Sequence, residues 1–298
     1  MRKAVVLIIV AFLVLIFVGG VVLQSTAILQ RIAAVRDVQG DVRIKSRNGN
    51  RFTPLADTPR VQAGDSLKTG RDGSVTLEWL DGTRLVVEPN TALTVLKCHV
   101  NRADSSEVSQ FRLDIGTIWV RVIKSLSSES QFEIETPTAT AAVRGTVFAV
   151  RVGGDGRTHV SVLEGAVELG GDAEAARIEE NSVAVVAGRQ TLVADFDETE
   201  SEKWAAQETV AGPILRMREP EGGYMATPGS PLTIRGWSEM GATVTVNGTP
   251  APLGAKHAFK TDLVVPSDFD GEEYRVEVKA VDARGYETLR ELAVAVSR

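Results

Sequence analysis

Cysteine is almost missing: the 298 residues contain one thiol, Cys98. It cannot form a disulfide within the chain, and the absence of a Cys/His cluster argues against zinc. Cys98 is expected to be a small core hydrophobe beside His99. Histidine is nearly as scarce. His99, His159 and His257 are scattered, and no Gly-x-Ser-x-Gly elbow accompanies them, so a Ser-His-Asp arrangement has no support in the pattern. Runs of five like charges are also lacking, and 33 Lys and Arg against 39 Asp and Glu leave a net charge of -6. That excludes nucleic acid as the expected partner, because binding it rests on clustered cations that neutralise phosphates. No catalytic, cofactor-binding or metal-binding residues are assigned, and the chain is not expected to be an enzyme. "SDFDGEE" (267–273) places Asp268, Asp270 and Glu272 around a glycine, but a calcium loop needs more oxygen ligands and a helical frame, so a solvated turn is expected.

Helical periodicity is absent before residue 196 except at the start. Arg2 and Lys3 precede an uncharged apolar run from Ala4 to Leu23, long enough as a helix to cross a bilayer core of roughly 30 Å. Basic residues on the short side place that side in the cytoplasm. The competing reading is a cleaved signal peptide with Ser25-Thr26-Ala27 as its small-residue site, although secretory apolar regions are usually shorter. Residues 1–30 are therefore read as a membrane anchor spanning 4–23, and everything after about Gln30 as extracytoplasmic.

From Ala33 onward the signal has period two. "GDVRIK", "SVTLEWL" and "GTIWVRV" each put apolar residues on one face. Asn48-Gly49, Asp72-Gly73, Asp81-Gly82 and Asp155-Gly156 punctuate these runs as tight-turn signals. "VQGDVRI" (38–44), "DIGTIWV" (114–120) and "LEGAVEL" (163–169) echo one another, each glycine expected to start a strand. Composition changes at Asp195. The acidic stretch 197–212 reads as a linker with one short helix around Trp204, stopped by Pro213. Alternation resumes over 213–298 with five or more strands, the size and rhythm of an Ig-like β-sandwich.

Four segments occur in an order and spacing that resemble the FecR domain: "AGDSLKTGRDGSVTLEWLDGTRLVVEPNTAL" (63–93), "GTIWVRV" (116–122), "FEIETPTATAAVRGTVFAV" (132–150) and "THVSVLEGAVEL" (158–169). The most specific block runs through Thr136, Pro137, Val143, Arg144, Gly145, Thr146 and Phe148. The resemblance extends from about Val35 to Phe196, and 33–196 is taken as the FecR-like domain. It implies an extracytoplasmic all-β module, a β-roll or solenoid-like fold used for interaction. "TVTVNGTPAP" and "VKAVDARG" in the carboxy-terminal segment resemble bacterial Ig-like modules. The family's best-known members are membrane regulators whose cytoplasmic domain controls a sigma factor. Only Met1, Arg2 and Lys3 precede the apolar run in this chain, so no such domain is expected.

Arg144-Gly145 interrupts an otherwise apolar strand. A charge there needs an acceptor. The structural reading is a glycine kink at a corner of the module, with Arg144 capping carbonyls or pairing with Glu135 or Asp114; the functional reading is a guanidinium offered to a carboxylate-bearing partner. Among the tryptophans, Trp79 is expected in the core. Trp119, opposite in phase to its apolar neighbours, is with Tyr224 and Trp237 a candidate for stacking on a sugar if exposed, but each is expected rather to cover a second layer of core. The whole chain is read as all-β after a transmembrane helix. It is expected to be a single-pass protein of a bacterial inner membrane, its bulk in the periplasm, binding or scaffolding envelope proteins of the membrane or periplasm. The alternatives are transmembrane signal transduction through a partner protein, or an accessory role binding peptidoglycan or polysaccharide.

Overall fold

The computed structural model describes residues 28–55, 60–123, 127–220, 224–239, 241–254, 257–283 and 285–297. The expected membrane span, Ala4 to Leu23, lies outside the described residues; among those described, no helix is long and apolar enough to cross a membrane. The chain is all-β and divides into two compact units, Met1–Asp195 and Phe196–Arg298.

In the first unit, hairpins are laid down alternately in two sheets that together close around one core. One ladder runs through Val42–Lys45, Ser66–Thr69, Ala92–Asn101, the first half of Glu107–Arg121, Gln131–Glu135, Thr140–Val143, Ala166–Gly170 and Ala176–Glu179. The other runs through Ala33–Gln39, Ser74–Glu78, Arg84–Val87, the second half of Glu107–Arg121, Val147–Val152, Thr158–Glu164, Ser182–Ala187 and Gln190–Asp195. All these pairings are antiparallel except that of Glu107–Arg121 with Gln131–Glu135.

Glu107–Arg121 belongs to both sheets. Its inward residues are Ser109, Phe111 and Leu113 before Gly116, and Ile118 and Val120 after it. Because side chains alternate with period two, the register shift between Leu113 and Ile115 moves the inward set from odd to even positions. Gly116, at φ 102°, makes the bend, and a Cβ there would lie 2.2 Å from Thr91 Oγ1. The three echoed segments share this role. Gly40 (φ 57°) and Gly165 (φ 85°) also stand where the chain leaves one sheet for the other.

The core is mainly Val and Leu, with a row of rings through its middle. Trp79 meets Phe111 at 5.8 Å between centroids, Phe111 meets Phe132 at 5.3 Å, and Phe132 meets Phe148 at 6.3 Å. The opposite face of the second sheet is covered too. Trp119 is only 7 % exposed, as a residue covering a second layer of core would be, and not open for stacking on a sugar; it stands in register between Val86 and Ala149, themselves buried.

In the second unit, a three-stranded sheet (Leu215–Glu219, Pro231–Ser238, Ala258–Val264) and a five-stranded one (Met225–Ala226, Glu287–Val296, Glu273–Val281, Thr243–Val246, Thr249–Pro250) share a core that includes Ile234, Phe259, Val276 and Val278. Asp197 caps the helix Glu198–Ala205 by accepting from Glu200 N at 2.8 Å, and Trp204 is fully buried.

Candidate functional site

The Thr136–Phe148 block folds as a hairpin followed by a corner. At the hairpin, Thr136 N donates to Ala139 O at 2.8 Å, and Thr136 Oγ1 accepts from Ala139 N at 3.0 Å. The buried Thr158 hydroxyl, from the other sheet, donates to Thr136 Oγ1 at 2.9 Å. Pro137 is exposed at the hairpin tip. Val143 is buried opposite Phe132, and Phe148 ends the row of rings.

Between Val143 and Val147 the chain leaves the first sheet for the second. Gly145 turns it with φ 67°, a conformation that a β-carbon makes costly. Thr146 fastens the far side: its buried hydroxyl donates to Ala166 O at 3.0 Å, and its carbonyl accepts from Val122 N at 2.9 Å. Arg144 projects from the bend and is exposed, with Nη2 donating to Ser127 O at 3.2 Å. The expected carboxylate partners are engaged differently or lie away: Glu135 pairs with Arg112 at 2.9 Å, and Asp114 is exposed in the long shared strand. The interruption in the sequence is thus a corner glycine next to an outward cation.

Two concavities meet at this corner. One is a small cleft reaching Arg31, Asp81, Thr83, Glu107 and Ser109. Arg31 is its hub: Nη2 lies 2.6 Å from Asp81 Oδ2, while Nη1 donates to Ser109 Oγ at 2.9 Å and lies 3.4 Å from Glu107 Oε2. Thr83 completes Asp81, donating from N at 3.1 Å and Oγ1 at 2.8 Å. Burial pushes the Glu107 carboxyl above its ordinary range, with Arg31 pulling it down and Asp81 pushing it further up. Burial likewise raises the Cys98 thiol, whose Sγ is 3.8 Å from Ser109 Oγ. A thiol held protonated is a poor nucleophile. The cleft encloses about 20 Å³, room for about one water and far below a small-molecule site.

The other concavity is an open groove of about 600 Å³ over the first sheet, lined by Ala142, Arg144, Gly145, Ala166, Glu168, Arg177 and Glu179 among others. Its floor follows from register. Ala142 is paired with Glu168, and Glu168 with Arg177, so a small side chain lies beside the charged pair. Arg177 bridges Glu168 and Glu179, the latter at 2.7 Å, and both contacts raise its guanidinium pKa. Fixed charges of both signs beside a shallow apolar floor suit a protein surface.

The remaining candidates do not converge on this corner. His159 lies opposite Arg151, whose Nη2 is 3.3 Å from its Nδ1. Trp79 is buried, Tyr224 is exposed, and Trp237 is 6.3 Å from the His257 ring. Among the described residues, no group of three or more His, Cys, Asp or Glu is placed to hold a metal ion. Sequence reasoning missed Arg84 and Arg121, directly opposite each other across the second sheet and 2 % and 3 % exposed. Glu78, paired with Arg84 in the ladder, has Oε1 3.8 Å from Arg84 Nε.

Residues 65–168 match the family model described as FecR protein. No curated protein matches the chain. Among solved structures, two of a putative anti-sigma factor from Parabacteroides distasonis align with TM-scores of 0.39. They are 17 % and 18 % identical, covering 51 % and 52 % of this chain and 66 % and 68 % of theirs. The chain thus spans about two-thirds of the length of these structures. A third, of a 1.5-MDa bacterial ice-binding adhesin, covers 91 % of both chains at 11 % identity with a TM-score of 0.22.

Proposed function

We propose, from the premise that this chain carries a FecR domain, that it is a membrane-anchored extracytoplasmic interaction protein. The Arg144-Gly145 corner and its groove would be the surface it offers to envelope proteins. The observation that carries this reading is the placement of the family's most specific block: its Val143 and Phe148 build the core, while its cation is turned outward at the rim of an open groove. The adjoining cleft has room for about one water, which favours a contact surface over a substrate pocket. The run from Ala4 to Leu23 would supply the inner-membrane anchor, its basic end in the cytoplasm and both β-units in the periplasm.

The second unit is read as an Ig-like module. Its strand order supports this: one sheet of three strands and one of five, with the short Met225–Ala226 strand parallel to Glu287–Val296 at the edge of the five-stranded sheet. The family match favours a second reading, signal transduction through a partner membrane protein, since the FecR resemblance implies regulators of that kind.

Protease treatment of intact spheroplasts tests the placement. Digestion of the bulk of the chain without lysis is expected, and protection until lysis would overturn it. Crosslinking in cells, comparing the wild type with Ala166→Arg, tests the surface. The arginine would fill the groove floor, so loss of the crosslinked envelope protein is expected. An unchanged crosslink pattern would overturn the assignment of the groove.

A further inference from the structure

Exposed sheet edges invite unwanted pairing, and proteins guard them with charges, proline, bulges or shortness. Nearly every edge here is guarded. In the first unit, Thr53–Pro54 is two residues long and carries a proline, Ala176–Glu179 carries Arg177 and its carboxylates, and Ala33–Gln39 is broken by a register shift between Arg36 and Gln39. In the second unit, Leu215–Glu219 carries Arg216, Arg218 and Glu219; Ala258–Val264 carries a Lys260–Asp262 ion pair; and Thr249–Pro250 is short and ends in proline.

Gln190–Asp195 has none of these devices. It pairs with Ser182–Ala187 on one side, and among the described residues no strand is in register with its other side. Its first five residues, Gln-Thr-Leu-Val-Ala, are uncharged. Leu192 and Val193, on its two faces, are 73 % and 51 % exposed, while Glu174 meets the start of the strand, its N donating to Arg189 O at 2.9 Å and its O accepting from Thr191 Oγ1 at 3.2 Å. A two-residue turn, Gly188-Arg189, with glycine at φ 60°, closes the hairpin on Ala187 and Gln190. Hydrogen-bonded and non-hydrogen-bonded pairs alternate from that closing pair, so the backbone groups of Thr191 and Val193 point away from Ser182–Ala187.

We infer that Gln190–Asp195 pairs antiparallel with the same strand of a second copy of this chain. The register is set by charge and backbone together. Centring the two-fold axis on Leu192 puts Leu192 opposite Leu192 of the second copy and Thr191 opposite Val193, whose outward backbone groups exchange hydrogen bonds. The same register sets Arg189 opposite Asp195 at both ends, so the charges at the margins of the edge find opposite partners and no like charges meet. The interface is isologous, as a two-fold dimer requires. This dimer is independent of the groove at Arg144: it uses the last strand of the unit and leaves the groove residues free for another protein.

The test is disulfide trapping in the full chain in membranes. A non-hydrogen-bonded pair brings Cα atoms to about 4.5 Å, within the range a disulfide spans. Leu192→Cys is therefore expected to give a disulfide-linked dimer on mild oxidation. Val193→Cys, which lies opposite Thr191, is expected to give much less, as is Leu80→Cys, a control at a position 93 % exposed. The buried native Cys98 does not compete. Detergent-solubilised wild type should have the mass of a dimer by light scattering. Val193→Pro, which removes one outward N–H, should lower it to a monomer. Equal trapping at 192, 193 and 80, attachment of Leu192→Cys to a different protein, or a monomeric wild type would each overturn the inference.

Discussion

The guanidinium of Arg144 lies 3.2 Å from the carbonyl oxygen of Ser127, so the cation in this apolar strand is satisfied at the surface by backbone. Its neighbour Gly145 is the one that the fold requires. Arg144→Ala should cost less than about 1 kcal/mol, as expected for an exposed contact. Gly145→Ala should cost about 1–2 kcal/mol from its left-handed backbone alone. Denaturant unfolding of both variants, followed by a probe in the first unit, checks the contrast; a larger loss for Arg144→Ala would reverse the roles of the two residues.

Phe148 is fully buried at the end of the row of rings, against Phe132. Phe148→Ala should destabilise the first unit by about 3–5 kcal/mol, the usual cost of such a truncation in a core. Phe148→Leu should recover much of it. Thermal unfolding is the measurement.

Glu107 links pH to stability. Burial is the largest influence and raises its carboxyl, so the folded chain holds the proton to higher pH than the unfolded chain. The folded state then binds more protons within the gap between the two values. Stability from this group is greatest below the unfolded carboxylate range, near about pH 4.3, falls as pH rises through the gap, and is flat above it. Glu107→Gln should remove that decline, so its advantage over the wild type should grow as pH rises from about 4 and then level off. Unfolding midpoints at a series of pH values give the comparison, and an advantage that shrinks with rising pH would show the opposite sign.

Cys98 is 1 % exposed and its thiol is raised by burial. A maleimide should label it only at the rate of unfolding. Rapid labelling in native buffer would place the thiol elsewhere.

Much of the all-β character was legible because alternation is a local property. Val75, Leu77, Ile118 and Val120 all face the core as their period suggests. Turn chemistry was partly legible: Gly82 and Gly156 have positive φ, whereas Gly73 answers to close approach, a Cβ there lying 2.2 Å from Asp41 O. The echoed glycines were visible as a pattern, but their meaning was not. That a glycine marks a passage between sheets depends on which strands lie beside it, and pairing is non-local. Trp119 left two readings open for the same reason: alternation places it on the second face of its sheet, and whether that face is covered is decided by packing that is not local. Arg84 and Arg121 look like ordinary surface cations in sequence, yet the ladder sets them opposite each other in a buried row. The groove at Arg144 combines three strands separated by as many as 37 residues, so its charges could not be grouped in advance.

The most direct test of the interaction surface is a photoreactive residue at Ala142, on the groove floor, with Lys97 as an exposed control on the same sheet. In intact cells, the account predicts one dominant crosslink from position 142 to an envelope protein, absent from position 97 and lost when Ala166→Arg fills the groove. Identical products from both positions, or none from position 142, would contradict it.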